Sequence, residues 1–191
     1  SQLYCNGFER DLARRVIQFQ NDYNARIQAD YPDRFITGFV IQPLHLQDAL
    51  DEIDRCVGKG MKLCCLPTHF IDDEGKWTSV VDRRLAPMWE KLDEHGLALE
   101  IHPYDGEKIV QLPNNLWRFH LVWMCAPTAD TYHMFTLRDY PDRYPNIRTC
   151  FAHGNQFGQI NVGRRRRGFK GRPDLFEGAR DPIDHLEDDN V

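Results

Sequence analysis

The chain has 191 residues, of which 41% are hydrophobic and 12% aromatic, and its formal net charge is -5. A chain of this size and apolar content can bury a core, so we expect a single domain over residues 1–191 that is a whole domain or a large part of one. No apolar run approaches the roughly 20 residues that span a bilayer, and the first residues lack the basic and apolar regions of a signal peptide. We therefore expect no membrane partner and a cytoplasmic location, and the acidic net charge argues against a general nucleic-acid-binding surface.

The six cysteines form no CxxC pair. Several of them lie inside apolar, strand-like runs, where thiols pack as small hydrophobic groups. This distribution argues against a disulfide framework.

The first predicted element is a long helix from Phe8 to about Ala29. Its apolar residues recur at steps of three or four, which places them on one face of the helix. This apolar face consists of Phe8, Leu12, Val16, Phe19, Tyr23 and Ile27.

The rest of the chain alternates between apolar strands and amphipathic helices. In order, the patterns predict a strand over 35–41, a helix over 46–57, a strand over 61–66, a helix over 82–95, a strand ending at His102, a helix over 129–138 and a strand ending at His153. A polar loop is expected around 72–75, another loop after His102, and an irregular tail over 178–191. Nearly continuous apolar strands that alternate with helices are typical of a parallel sheet covered by helices, so the sequence predicts an α/β fold.

Two of the predicted strands end on a histidine, and this repetition is the best indication of function. His102 is followed by Pro103 and His153 by Gly154, which marks where the chain leaves the sheet. In barrels of alternating strands and helices, metal-binding and catalytic groups lie at the carboxyl ends of the strands. A neutral imidazole there suits a divalent metal such as zinc, and His102 is the first candidate for a metal ligand.

The role of His153 has two interpretations, since it can be a further ligand or a general base. For either histidine alone, a structural role in the core is the alternative. Asp105 is expected to be a turn residue more than a partner of the ligand.

The remaining histidines are weaker candidates because of where they lie along the chain. His45 and His95 are beside helix ends, and exposed positions are expected for them and for His120, His133 and His185. His69, three residues after a strand, has a small chance of facing the pocket.

Arg164, Arg165, Arg166 and Arg167 form the strongest run of charge. A solvated face is the first interpretation, and binding of a carboxylate-bearing substrate is the second. Nucleic-acid binding is the least favoured, because the chain is acidic and no aromatic residues alternate with basic ones around the run.

From about residue 18 to residue 182 the chain resembles the metal-dependent decarboxylases of the amidohydrolase superfamily. The residues that carry this resemblance are Asn21-Asp22, Gln42-Pro43-Leu44, His102-Pro103-Tyr104-Asp105, the run from Ala126 to Thr131, Phe151-Ala152-His153-Gly154, Gly163-Arg164, Gly168-Phe169 and Arg172-Pro173-Asp174-Leu175. The HP-x-D and AHG motifs, in this order and at this spacing, are together fairly specific.

The resemblance implies a distorted (β/α)8 TIM-like barrel of the metal-dependent hydrolase type that holds one zinc ion. It implies that His102 is a zinc ligand, that His153 is the acid/base residue, and that Arg164 binds a substrate carboxylate. In such enzymes this arginine reaches the neighbouring subunit's site, so the resemblance also implies a homodimer. The implied reaction is non-hydrolytic loss of CO2 from a small unsaturated or aromatic carboxylic acid.

The sequence also departs from that family. The paired histidines of the first strand and the aspartate of a late strand are absent, and a complete barrel needs roughly 250 residues. We therefore expect only part of a barrel. A metal-dependent hydrolase or hydratase on the same scaffold and a non-catalytic fragment remain alternatives, because a fold does not determine a reaction.

Overall fold

The structure is a computed structural model that describes residues 4–5, 7–103, 124–176, 180–189 and 191. Within these ranges, strands alternate with helices along most of the chain. The strands are β1 (Gly38–Val40), β2 (Leu63–Pro67), β3 (His69–Ile71), β4 (Trp77–Ser79), β5 (Ala98–His102) and β6 (Arg148–Phe151). The α-helices are α1 (Arg10–Asp30), α2 (Leu46–Val57), α3 (Ala86–Glu94), α4 (Cys125–Leu137), α5 (Tyr140–Arg143), α6 (Gln156–Ile160) and α7 (Val162–Gly171).

Four of the strands form one parallel sheet in the order β1-β2-β5-β6, and β3 pairs with β4 as a separate antiparallel hairpin. The register aligns Phe39 with Cys64 and Cys64 with Leu99. Because side chains alternate between the faces of a sheet, these three residues share one face. Helices cover that face, since one buried cluster joins it to Ile53 of α2 and Phe135 of α4. The predicted α/β fold with parallel strands is therefore confirmed.

The other face of the sheet carries Val40, Cys65 and Glu100, which are also aligned by the register. Val40 and Cys65 belong to a smaller buried cluster that includes Tyr4 and Ile17. In a closed barrel this face lines the interior, so the face carrying Glu100 is the one that leads to the carboxyl-end site.

The apolar face predicted for the first helix is mostly exposed, although Val16 packs against the smaller buried cluster. Phe8, Leu12, Phe19 and Tyr23 are 48%, 48%, 77% and 49% exposed. The residues of α1 that are buried are instead Ala13, Ile17 and Asn21. The helix is rotated in this way because the Asn21 amide meets the backbone of β1, where Val40 N donates to Oδ1 at 2.9 Å and Nδ2 donates to Val40 O at 2.8 Å.

The boundaries of α1 and α2 follow local signals. Helix α1 begins at Arg10, two residues later than predicted, because the Glu9 carboxylate caps it by accepting hydrogen bonds from the backbone N–H groups of Asp11 and Leu12. Such a cap satisfies N–H groups that have no partner within the helix. Helix α2 has the predicted bounds.

The expected polar loop around 72–75 is the turn of the β3–β4 hairpin, which the sequence analysis did not predict. The Asp72 carboxylate organises this turn by accepting hydrogen bonds from the backbone N–H of Lys76 at 2.9 Å and the hydroxyl of Thr78 at 3.0 Å. Both strands contain three residues, too few for a clear alternating pattern.

Beyond β6 the chain forms α6, α7 and short 3-10 turns rather than further strands among the described residues. The tail that was predicted to be irregular contains a 3-10 turn over Asp184–Glu187 within its described part. The division into a single domain and a tail from 178 stays a prediction. None of the helices that the structure describes has the length and hydropathy needed to cross a bilayer.

Candidate active site at the carboxyl ends of β5 and β6

The structure brings together the two histidines that the sequence analysis selected. Strands β5 and β6 are parallel neighbours, with Ile101 aligned to Phe151. The polypeptide therefore leaves the sheet at the same edge after each of the two strands. The ring centroids of His102 and His153 lie 5.0 Å apart at an interplanar angle of 56°. His102 is half-buried and His153 is exposed, so the pair faces the open end of the sheet.

The hydrogen bonding of His102 indicates its tautomer. Its Nδ1 lies 2.6 Å from the carbonyl oxygen of Pro103. A carbonyl oxygen only accepts hydrogen bonds, so Nδ1 carries the proton and donates. The lone pair is then on Nε2, which is the form of imidazole that binds a metal ion.

His153 is held in an unusual backbone conformation. His153, Gly154 and Asn155 all have positive φ, at 57°, 64° and 47°. For residues other than glycine this region costs of order 1–3 kcal/mol and occurs most often where function requires it. The three residues reverse the chain immediately after β6, which keeps the His153 ring beside His102.

Glu100 is a further polar residue on the same face of β5, two residues before His102. Its carboxylate accepts a hydrogen bond from the Cys65 thiol at 3.4 Å. Burial raises the pKa of Cys65, with a further contribution from Glu100, so the thiol is protonated and unreactive at neutral pH. The sequence analysis missed Glu100. A carboxylate in an apolar strand, two residues before His102 and therefore on the same face of the strand, is a recognisable signal.

His69 is part of the hairpin and has its own partners. It is 4% exposed, its ring stacks on Trp77 with centroids 4.7 Å apart, and Nε2 lies 3.1 Å from Asp130 Oδ2 of α4. These contacts anchor the hairpin to α4. They give His69 a structural role in the described part of the chain.

The expectation of exposed positions does not hold for the weaker histidines that the structure describes, since His45 and His95 are half-buried. His185 is 1% exposed, against the expectation for a residue of the tail, because Asp188 and the groups around it enclose the ring. His133 is likewise half-buried, on α4. Asp105 and His120 lie outside the described residues.

The arginine run does not form a uniform solvated face. Arg164, Arg166 and Arg167 are exposed on α7, and Arg166 pairs with Asp181 at 3.0 Å. Arg165 is 8% exposed, and its guanidinium carbon lies 4.7 Å from the centroid of the Tyr132 ring.

A cavity of about 370 Å³ opens beside the turn that holds His153. Its lining includes Gly154 and Asn155, the two residues that follow His153, and from the tail His185 and Leu186. This volume lies within the range of sites for small molecules.

The donor atoms at the strand ends suit a divalent metal, and the ligand set is incomplete in the described part of the chain. Two imidazoles, one with its Nε2 lone pair available, are ligands that zinc and manganese accept. Over residues 4–5, 7–103, 124–176, 180–189 and 191, no third His, Cys, Asp or Glu forms a metal-ligating group with this pair. A catalytic zinc normally takes three protein ligands, so further ligands have to come from elsewhere.

A parallel sheet of strands and covering helices with two histidines at its carboxyl edge defines this chain as part of a (β/α)8 barrel of the metal-dependent hydrolase type. The sequence profile of the family described as Amidohydrolase matches residues 7–175. The chain belongs to this amidohydrolase family.

Individual relatives agree with this assignment. The 2-amino-3-carboxymuconate-6-semialdehyde decarboxylase of Dictyostelium discoideum is 31% identical over 161 residues, which cover 84% of this chain and 43% of that protein. The solved structure of 5-carboxyvanillate decarboxylase from Sphingomonas paucimobilis has a TM-score of 0.81 at 19% identity, and the match covers 99% of this chain and 57% of that one. A dihydroxybenzoic acid decarboxylase from Polaromonas, solved with bound manganese and the inhibitor 2-nitroresorcinol, has a TM-score of 0.75 at 18% identity, covering 94% and 56% of the two chains. This chain therefore spans about half the length of the relatives it matches.

Proposed function

We propose that this chain provides part of the active site of a metal-dependent, non-hydrolytic decarboxylase. The observation that carries the proposal is the approach of the His102 and His153 rings to 5.0 Å at the carboxyl edge of the sheet. The relatives named above are decarboxylases, which favours carbon-carbon bond cleavage over hydrolysis. The proposed substrate is a small unsaturated or aromatic carboxylic acid.

His102 is the proposed metal ligand, through Nε2. Zinc is the metal we expect, because neutral imidazole is one of its preferred ligands. Manganese is the alternative, since the Polaromonas enzyme was solved with it. When bound, the metal supplies a Lewis acid that polarises the substrate group next to the carboxylate.

His153 is the proposed acid/base residue. As the bond to the carboxylate breaks, its electron pair remains on the substrate carbon, and protonated His153 delivers a proton to that carbon while CO2 leaves. His153 is exposed and lies in the turn after β6, which allows this contact with a substrate bound at the carboxyl ends of the strands.

Arg164 is the proposed binding residue for the substrate carboxylate. A guanidinium group can bind a carboxylate through two parallel hydrogen bonds. Arg164 is exposed on α7, which suits contact with the site of a second subunit, and a homodimer is therefore part of the proposal. A cytoplasmic location remains a prediction.

The first test is metal content, by elemental analysis of the purified protein containing this chain. We expect His102→Ala to contain about one metal ion per chain less than the unmodified protein, and the control His95→Ala, at a residue that pairs with Asp54, to keep the full metal content. An unchanged metal content in His102→Ala would contradict the ligand assignment.

The second test separates the reactions. The protein is incubated with 5-carboxyvanillate and with 2-amino-3-carboxymuconate 6-semialdehyde, and released CO2 is measured beside hydration and hydrolysis products. CO2 release that is lost in His153→Ala with the metal retained supports the proposal. Hydration or hydrolysis products without CO2 would favour a hydrolase or hydratase on the same scaffold, and full CO2 release by His153→Ala would remove His153 from the mechanism.

A further inference from the structure

A second group of possible ligands lies apart from the strand-end histidines. Asp139, Asp142 and His185 each offer one ligand atom, and these three atoms lie within 4.8 Å of one another. Asp139 directly precedes α5, Asp142 lies in α5, and His185 lies in the 3-10 turn of the tail. The group joins two parts of the chain that are more than 40 residues apart in the sequence.

His185 supplies the observation that distinguishes this group from an ordinary acidic cluster. Its ring is 1% exposed, and Nδ1 lies 2.7 Å from Asp188 Oδ2, so Nδ1 donates to that carboxylate. The lone pair is then on Nε2, which is buried and has no hydrogen-bond partner among the described residues. A carboxylate that holds the far nitrogen of an imidazole is the usual support of a metal-bound histidine.

The Nε2 atom faces a second buried atom without a partner. Asp139 Oδ1 lies 4.0 Å from His185 Nε2, which is too far for a hydrogen bond, and it also lacks a hydrogen-bond partner within the described part of the chain. Leaving two such atoms buried and unsatisfied costs free energy. A cation between them would satisfy both.

The charges around the space between His185 Nε2 and Asp139 Oδ1 favour a divalent cation. Three carboxylates, those of Asp139, Asp142 and Asp188, meet one guanidinium, that of Arg180, whose contacts to Asp142 and Asp188 are 2.6 and 2.8 Å. When all three carboxyls are ionised and His185 is neutral, two negative charges remain in excess. Burial, and then the hydrogen bond that the protonated Asp139 carboxyl donates to Asp142, raise the pKa of Asp139, as expected where carboxylates are crowded together.

We propose that Asp139, Asp142 and His185 form a binding site for a divalent transition-metal ion of the zinc type, which fastens the tail to the turn between α4 and α5. One imidazole nitrogen and two carboxylates are a ligand set that zinc accepts. Because His185 and Leu186 also line the cavity beside the His153 turn, the site holds one wall of that cavity in place.

The test uses the double variant His102→Ala/His153→Ala as the parent, so that zinc bound at the strand ends does not contribute. Zinc is titrated into the metal-free parent and into three variants of it: Asp139→Asn, His185→Gln and Asp142→Asn. The matched control is Asp184→Asn, which removes an exposed carboxylate from the same 3-10 turn as His185. Bound zinc, the melting temperature and proteolytic cleavage of the tail are measured.

We expect the parent and the Asp184→Asn control to bind about one zinc ion and to gain roughly 5–10 °C in melting temperature when zinc is about 100 times its Kd. Zinc should also slow cleavage of the tail. Asp139→Asn and His185→Gln should weaken zinc binding by about 100-fold or more, and Asp142→Asn by about 10-fold, since its carboxyl is shared with Arg180.

Circular dichroism without zinc shows whether each variant is folded, and cobalt provides a second readout, because its visible absorption reports bound imidazole and carboxylate. Equal zinc binding by the control and by Asp139→Asn and His185→Gln would overturn the proposal. Absence of zinc binding in the folded parent would overturn it as well and would identify the group as a cluster that shares protons.

Discussion

The side-chain amide of Asn21 forms two hydrogen bonds with the backbone of Val40, accepting from its N–H at 2.9 Å and donating to its carbonyl at 2.8 Å. In this way α1 pairs with β1, which is the outer strand of the four that the structure describes in this sheet. The contact satisfies two buried backbone groups and fixes the rotation of α1 on the sheet.

Asn21→Leu should lower the free energy of unfolding by about 2–4 kcal/mol, because it leaves the N–H and C=O of Val40 buried without partners. Urea denaturation measures this change. The matched control is Asn24→Ala one turn later, where a half-buried amide donates once to Gly38 O and the expected loss is about 1 kcal/mol. An equal loss of unfolding free energy in both variants would show that the two hydrogen bonds of Asn21 stabilise the protein no more than the single bond of Asn24.

Gly38 and Gly163 should respond in opposite directions to alanine. A Cβ at Gly38 would lie 2.4 Å from Cys65 Sγ, so Gly38→Ala should destabilise the protein by about 1–3 kcal/mol. At Gly163, inside α7, a Cβ meets no atom within 4 Å, and alanine should stabilise by about 0.5–1 kcal/mol. Thermal denaturation of both variants checks the pair, and a stabilising Gly38→Ala would contradict the close packing of β1 on β2.

His133 should make stability depend on pH. Burial, and then the charge of Arg165, lower its pKa from 6.5 to about 4, so the folded state favours the neutral ring. The unfolded chain therefore binds more protons between these values, and this stabilisation is complete above pH 6.5 and is lost as the pH falls toward 4. The loss is about 1–3 kcal/mol, since the ring is half-buried. The free energy of unfolding is measured at pH 7.5 and 4.5. It should decrease less between these two values in His133→Gln than in the unmodified chain, and an equal decrease would assign the effect to other groups.

The four arginines of the charge run should differ in their effect on stability. Arg165 is buried against Tyr132, so Arg165→Ala should cost about 2–4 kcal/mol through the cavity that it leaves. Arg165→Met keeps the packing and removes a buried charge, and it should change stability by no more than about 1 kcal/mol. Arg164→Ala, on the exposed face, is the control and should stay within about 0.5 kcal/mol.

The same Arg165→Met variant has an independent readout. Since the charge of Arg165 is the second cause of the low pKa of His133, removing it should move that pKa upward. The change is measured from the NMR chemical shifts of the His133 ring across the pH range. No movement would show that burial alone controls the group.

The alternation of helices and strands, and with it the α/β fold, could be predicted because it depends on local periodicity. Apolar spacing of three or four residues predicted α2 with the bounds that the structure has. The same periodicity could not choose the buried face of α1, because the residues around Leu12 and those around Ile17 both recur with the helical repeat. Only the edge of β1, distant in sequence, decides which face turns inward.

The sequence by itself determined that His102 lies at the end of a strand and His153 lies just after one, because a change from apolar residues to His-Pro or His-Gly is a local signal. Only the tertiary structure decided that β5 and β6 are neighbours, which brings the two rings together, and that Arg165 and His185 are buried while Arg164 is not. Neighbouring residues in one charged run or one tail have the same local composition. Their burial depends on which distant groups, such as Tyr132 or Asp139, the fold places against them, and that information is not contained in any short stretch of the chain.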